Sequence, residues 1–331
     1  MMVSMTSPGA PPTGAGRFAP SPSGDLHLGN LRTALLAWLF ARSTGRSFLV
    51  RMEDLDRVQP GADARQLADL AAIGLYWDGP VVYQSSRTQR YDDAISRLTA
   101  AGLSYECFCT RREIRESASA PHPEPLGSTR RGAAGAYPGT CRNLSPAVIA
   151  DRRRAGRPSA LRLRAEIPEF TIDDELRGPF TGVVDDLVLR RNDGVAAYNL
   201  AVVVDDAAQG VDQVVRGDDL LTSAPRQAYL GSLLGLPPVR YAHVPLALNL
   251  SGQRLAKRDG AVTLVELAGL GLDASDVLTV IAHSLSLAET REEVTPTILL
   301  GRFDAQSLPA APWIVDPGRL VSAPRKDRAQ R

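Results

Sequence analysis

Residues 17–30, RFAPSPSGDLHLGN, constrain this chain more than any other stretch. Pro20 and Pro22 fix φ and push the residues before them out of the helical region, so the segment must run extended before it turns. A helix follows, because Leu31, Ala34, Leu35, Trp38 and Leu39 stand at i, i+3, i+4, i+7 and i+8. His27 to Asn30 therefore fall at its first turn, where free backbone N–H groups and the positive dipole end face whatever binds there. Gly29 lets a ring or a phosphate approach the backbone, and His27 and Asn30 both carry hydrogen-bond donors. A strand-to-helix junction that merely contains Gly and His has the same local pattern.

The rest of the chain repeats the strand-then-helix theme of an α/β protein built on an open, largely parallel sheet. Phe48 to Met52 reads as a buried strand ending in Glu53-Asp54-Leu55-Asp56, and ligands of such sheets gather beyond the carboxyl ends of strands. Helices are expected through Leu67, Leu70 and Ala71 and over Ala94 to Ala101, with a strand at Tyr105 to Cys109. From Pro146 a polar helix leads to strands at Leu161 to Arg164, Phe170 to Leu176 and Asp186 to Arg190. Ala197 to Asp206 reads as a long apolar strand ending in two acids, and Val214 to Gly217 as a strand ahead of a helix over about Ser223 to Leu234. After a further strand at Val244 to Asn249 come Ser251-Gly252 and then Arg254-Leu255-Ala256-Lys257-Arg258, with a last clear helix at Val277 to Leu287. Arg17 and Arg216 belong to different halves of the chain, yet both sit at strand-end turns. A buried carboxylate needs a paired cation, and a guanidinium fork fits it, so the two can converge on an acidic substrate. Lys257 stands out because the only other lysine is Lys326, and a mobile ammonium there can neutralise charge on departing phosphates.

All three cysteines lie close in sequence, Cys107 and Cys109 with one residue between them and then Cys141. In a reduced compartment such a set points to a metal, and on chemistry alone His122 is the first candidate for a fourth ligand of zinc. Between them runs SASAPHPEPLGSTRRGAAGA, residues 117–136, a Pro, Gly, Ala and Ser-rich loop. The formal net charge of +1 does not announce a nucleic-acid binder, so any RNA contact must come from local clusters: Arg111, Arg112 and Arg115, Arg130 and Arg131, or Arg152, Arg153, Arg154 and Arg157. No apolar run reaches the ~18 to 20 residues of a membrane helix, and the first sixteen residues lack the form of a secretion signal. A cytoplasmic protein is expected.

Arg17, Ala19, Pro20, Ser21, Pro22 and Gly24, followed by His27-Leu28-Gly29-Asn30, resemble the opening of the glutamyl- and glutaminyl-tRNA synthetases, whose signature is His-Ile-Gly-His. Arg254 to Arg258 resembles their second signature, Lys-Met-Ser-Lys-Ser or Lys-Leu-Ser-Lys-Arg. The sequence departs from these patterns at Leu28, Asn30, Arg254 and Ala256. The resemblance implies an α/β, Rossmann-type class I synthetase catalytic domain, with His27, Asn30 and Lys257 catalytic and His27, Gly29, Asn30 and Lys257 holding ATP and its Mg²⁺. It places L-glutamate on Arg17, Ser21, Glu53, Tyr198 and Arg216, with Glu53 at the amino group. Cys-x-Cys followed by Tyr-x-x-x-Cys resembles the zinc site of some bacterial members, which makes Cys107, Cys109, Tyr137 and Cys141 the ligands of one structural Zn²⁺.

The implied organisation is a disordered tail at 1–16, a first catalytic half at 17–106, and a zinc-bearing, acceptor-binding-like insertion at 107–190. The second catalytic half follows at 191–260 and a short helical region with a disordered end at 261–331. Only 74 residues follow Lys257, where full-length members continue into an anticodon-binding domain, so none is expected here. That resembles the truncated branch of the family, which attaches glutamate to queuosine in the anticodon of tRNA(Asp), and a monomer is expected. Other readings are a short synthetase charging tRNA(Glu), a non-catalytic RNA-binding paralogue suggested by Asn30 and Ala256, and another nucleotidylyl transferase of the same fold class.

Overall fold

The computed structural model describes residues 14–110, 112–114, 137–255, 262–290 and 292–322. Most of the expected N-terminal tail, the C-terminal end, His122, Arg111, Arg115, Arg130, Arg131, Ala256, Lys257 and Arg258 lie outside the described residues.

The chain opens with strand β1 (Ala15–Phe18), the Pro-rich turn and helix α1 (Leu28–Ser43). His27 is the N-cap: its Nδ1 accepts from Asn30 N, while Asn30 Oδ1 accepts from His27 N, each at 3.2 Å. This reciprocal box satisfies two of the helix's orphan donors. The helix is buried nearly all round, from Leu28 to Ala41, and not along one stripe as its spacing suggests. One side lies on the sheet and the other against the C-terminal helices, so each buried Leu or Phe contributes roughly 1.5–3 kcal/mol.

After α1 come β2 (Ser47–Met52), α2 (Ala62–Ala72), β3 (Val82–Tyr83), α3 (Thr88–Ala100) and β4 (Ser104–Cys107). The middle of the chain supplies α4 (Pro146–Arg154), β5 (Ala160–Leu163), β6 (Glu169–Asp174), β7 (Gly178–Val183) and β8 (Val188–Arg190). Strands β4, β5 and β8 form a separate antiparallel sheet. Strands β6 and β7 instead join the main sheet, so segment 107–190 contributes strands to both sheets.

Ala197 to Asp206 is not a strand. It forms helix α5 (Tyr198–Ala208), whose Leu200 and Ala201 pack into the cluster built by α3 and the small sheet. Three valines in a row favour a strand, but a short apolar run does not discriminate, and burial against neighbours overrides propensity. Next come β9 (Val211–Gly217), α6 (Ala224–Leu233), β10 (Arg240–Val244) and β11 (Ala247–Leu248). The chain then runs through α7 (Leu264–Gly269), α8 (Ala274–Ser284), α9 (Pro296–Arg302) and β12 (Trp313–Ile314) to α10 (Pro317–Ser322).

The main sheet has the order β3-β2-β1-β9-β10-β6-β7, parallel except for β7. From β1 the chain builds outward through β2 and β3, then returns to β9 on the other flank of β1. That reversal is the switch point at which doubly wound sheets bind ligands, beyond the strands' carboxyl ends. Among the described residues no helix is long and apolar enough to cross a membrane.

Candidate active-site cleft

A cleft of about 1270 Å³ opens at this switch point. Arg17, Ser21, His27, Gly29, Asn30, Glu53, Tyr198 and Arg216 all line it, so every described residue nominated for glutamate or ATP meets in one place. Lys257 lies outside the described residues, but Leu255 before it and Val262 after it are placed. On one side Arg254 and Leu255 line the cleft, with Arg254 Nη1 2.9 Å from Asp219 Oδ2. On the other, Val262 O accepts from Leu28 N at 2.9 Å and Thr263 bridges His27.

The first turn of α1 faces the cleft with little bulk. A Cβ on Gly29 would come within 3.1 Å of Ala247 Cβ and of the His27 ring, so any side chain there would crowd the turn. Capping occupies His27 Nδ1 and Asn30 Oδ1. The proton of neutral His27 is then on Nε2, and the Asn30 amide nitrogen remains a donor.

The two nominated arginines differ in how they are held. Arg17 is buried and bonds Asp206, Nε to Oδ1 at 3.2 Å, and Arg51 shares the same carboxylate at 2.7 Å. Burial alone would raise the Asp206 pKa, but the two guanidinium groups hold it below the usual carboxylate range. Asp205, fully buried, takes Arg87, Tyr91 and Gln84. Asp205 and Asp206 are thus internal counter-ions carried by α5, and not the ligand-facing acids that a strand would have put at its end.

Arg216 is equally buried, at 5% exposure, but its partners are neutral: His243 Nε2 at 3.1 Å, Gln227 Oε1 at 2.7 Å and Leu220 O at 3.4 Å. Among the described residues no carboxylate forms an ion pair with it. Burial accordingly pulls its pKa down, with Arg17 nearby adding to the shift. Behind the cleft wall Asp205 and Asp206 are thus matched by Arg17, Arg51 and Arg87, while Arg216 has no carboxylate in an ion pair among the described residues. A ligand carboxylate beside Arg216 would supply that partner, as a buried charge demands.

Glu53 sits beside this group, 3.5 Å from Arg51 Nη2, with its backbone N–H donating to Pro20 O at 2.9 Å. Burial pushes its carboxyl pKa up, against the pull of Arg51 and Arg17. Tyr198, at the start of α5, is 42% exposed at the cleft wall, and Ser21 lies in the Pro-rich turn, where Gln66 Nε2 donates to its carbonyl at 3.0 Å. Sequence reasoning missed Asp206, Gln227 and His243, none of which belongs to a recognisable motif.

Cys107 and Cys109 also line the cleft, and with Cys141 they form a group whose sulfurs lie within 4.8 Å of one another. Such a set could hold a metal ion. Tyr137 Oη is 3.3 Å from Cys107 Sγ and 3.7 Å from Cys109 Sγ, and Cys109 Sγ is 3.5 Å from Cys141 Sγ. The nearby arginines of α4 are largely engaged with protein, Arg153 with Glu106, Arg154 with Asp151 and Arg152 with Cys141 Sγ, while Arg157 just beyond the helix pairs with Glu113.

Residues 15–314 match the family described as tRNA synthetases class I (E and Q), catalytic domain. The chain is 64% identical over 308 residues to a protein of Nocardia farcinica named glutamyl-Q tRNA(Asp) synthetase, covering 93% of this chain and 95% of that one. It is 45% identical over 321 residues to a protein of the same name from Symbiobacterium thermophilum, covering 93% and 97%. Among solved structures, it resembles a glutamate tRNA ligase from Elizabethkingia meningosepticum in complex with its amino acid, at 27% identity and a TM-score of 0.77 over 93% of this chain and 68% of that one.

Proposed function

The chain belongs to the class I tRNA synthetases of the E and Q type, and from that premise we propose that it joins L-glutamate to ATP as glutamyl-adenylate, then transfers the glutamyl group to queuosine in the anticodon of tRNA(Asp). The observation that carries the amino-acid half is Arg216, a buried cation lining the cleft whose hydrogen-bond partners among the described residues are all neutral. Glutamate, with two carboxylates and one ammonium, supplies the missing charge. Glutamine does not. The acceptor half is supported by the shared name of the relatives in N. farcinica and S. thermophilum.

In the first step an oxygen of the glutamate α-carboxylate attacks the α-phosphorus of ATP and pyrophosphate leaves with its Mg²⁺. We assign Arg216 and Arg17 to the γ-carboxylate, Glu53 to the ammonium, and Ser21 and Tyr198 to the walls that orient the side chain. His27, Asn30 and the backbone N–H groups beside Gly29 stabilise the charge at the α-phosphate, and Lys257 that on the departing phosphates. In the second step a hydroxyl of the queuosine ring attacks the acyl carbon, its proton leaves and AMP departs.

We assign zinc to the cysteine cluster, with Tyr137 as fourth ligand. Zinc–sulfur bonds of ~2.3 Å place tetrahedral sulfurs about 3.8 Å apart, and an oxygen ligand at ~2.0 Å lies about 3.5 Å from each sulfur. The 3.5 Å Cys109–Cys141 pair and the 3.3 and 3.7 Å oxygen–sulfur distances are near those figures, and the three sulfurs, spread over up to 4.8 Å, would draw together on an ion. A bound ion would tie β4 to the segment at Tyr137 to Cys141 and so orient segment 107–190 for the tRNA, without entering the chemistry. We expect a cytoplasmic monomer.

The similarity to a glutamate tRNA ligase favours one rival, the same activation followed by charging of tRNA(Glu). Both readings give glutamate-dependent ATP–pyrophosphate exchange, so the test is transfer. Radiolabelled glutamate offered with tRNA(Asp) containing queuosine, tRNA(Asp) lacking it, and tRNA(Glu) should label only the first, and label on tRNA(Glu) alone refutes the proposal.

A further inference from the structure

Three consecutive strands of the main sheet carry a chain of buried side chains that ends on Arg216. Arg216 of β9 lies in register with His243 of β10, and Arg216 Nε donates to His243 Nε2 at 3.1 Å. On its other side the imidazole meets Asp174, the last residue of β6, with Nδ1 2.6 Å from Oδ2. His243 and the Asp174 side chain are completely buried. Because a guanidinium can donate but cannot accept, Nε2 must be the acceptor, and the ring's own proton is on Nδ1, directed at the carboxylate. Asp174 is fixed in turn by the backbone N–H groups of Leu176 and Arg177, both 3.0 Å from Oδ1, and of His243, 3.1 Å from Oδ2.

We propose that His243, oriented by Asp174, is a positioning residue for glutamate recognition: it aims the Arg216 fork into the cleft through a neutral acceptor, which leaves the guanidinium charge whole for the substrate. Arg17 shows the alternative. Its Nε partner is a carboxylate, Asp206, which consumes much of its charge before any ligand arrives. An acid at 243 would treat Arg216 in the same way, whereas imidazole supplies the hydrogen bond without the charge. Gln227 repeats the device at Nη1 and is itself anchored by donating to Asn199 Oδ1 at 2.9 Å. The Tyr241 ring, 5.8 Å from the imidazole and nearly parallel to it, closes one side. The inference rests on the reading that Arg216 meets the substrate carboxylate, and a positioning role of this kind acts on binding geometry before it acts on chemistry.

Two near-isosteric variants separate this role from that of a latch between β10 and β6. In His243→Gln the amide oxygen reaches the place of Nε2 and can accept from Arg216, while the contact to Asp174 is lost. In His243→Asn the amide nitrogen takes the place of Nδ1 and keeps Asp174, while the contact to Arg216 is lost. Glutamate-dependent ATP–pyrophosphate exchange should show the glutamate KM of His243→Asn raised tenfold or more with kcat and the ATP KM within threefold of the parent. His243→Gln should stay within threefold on all three constants, with thermal unfolding of both variants recorded alongside. The opposite ranking, or an unchanged glutamate KM in both, overturns the proposal. Arg216→Ala is the control: should it leave the glutamate KM unchanged, the reading of the cleft has failed and not merely the role of His243.

Discussion

Replacing Asn30 by Asp separates the two things this residue does at the head of α1. Its Oδ1 accepts from His27 N to complete the capping box, and its amide nitrogen is the donor assigned to the α-phosphate. A carboxylate keeps the first role, since either oxygen can accept, and its charge at a helix N-terminus adds ~0.3–1 kcal/mol of stability. It destroys the second. One hydrogen bond to a charged group, worth ~1.5–3 kcal/mol, is lost, and a negative charge is set against the phosphate. Two like charges about 4 Å apart at an effective dielectric of about 20 repel by ~4 kcal/mol. Together these raise the barrier to adenylate formation by ~5.5–7 kcal/mol, a slowing of roughly 10⁴- to 10⁵-fold. Urea denaturation and ATP–pyrophosphate exchange on the same preparation decide the matter: stability equal to the parent or slightly above it, with exchange nearly abolished. If Asn30→Asp keeps exchange within about threefold, Asn30 is a helix cap and nothing more, and phosphate stabilisation must be assigned elsewhere.

Arg17→Met should lower stability by ~1–3 kcal/mol because Asp206 keeps only Arg51 among the described residues, whereas Arg216→Met, which removes a buried cation with no carboxylate ion pair among the described residues, should stay within ~1 kcal/mol of the parent in urea; the reverse order contradicts this charge pattern. Burial raises the Glu53 pKa in the free protein, so kcat/KM for glutamate should begin to fall at a higher pH than an ordinary glutamate would give, as the acid protonates and loses its hold on the ammonium; a profile flat through that range, or unchanged in Glu53→Gln, counts against the role. Metal analysis should find about one zinc per chain, retained in His122→Ala and weakened in Tyr137→Phe, and release by the histidine variant would make His122 the fourth ligand. Lys257→Ala should cut exchange by orders of magnitude at nearly constant glutamate affinity; a parallel loss of both would mark the lysine as structural.

What could be read from the sequence was whatever depends on local constraint. Two prolines and an apolar period of 3.6 suffice to place His27 at a helix start, because φ restriction and burial of one helix act within a dozen residues. Cys107, Cys109 and Cys141 announce themselves by residue type. The electrostatics of the cleft did not, because they are set by pairs far apart in sequence: Arg17 meets Asp206 and Arg51 meets Asp206 only after parallel strands close separations of 189 and 155 residues. Taking α5 for a strand had a direct consequence here. A strand puts Asp205 and Asp206 on opposite faces at its end, where they look like ligand-binding acids, while a helix carries both into the interior, toward the arginines that they neutralise. His243 was invisible for a related reason. In Arg-Tyr-Ala-His-Val nothing marks the histidine as more than a strand residue, and its meaning comes from register, with Arg216 beside it on β9 and Asp174 on the far side on β6. Among the described residues Arg216 makes no carboxylate ion pair, and Asp174, one strand further away on that side, is already committed to the imidazole between them.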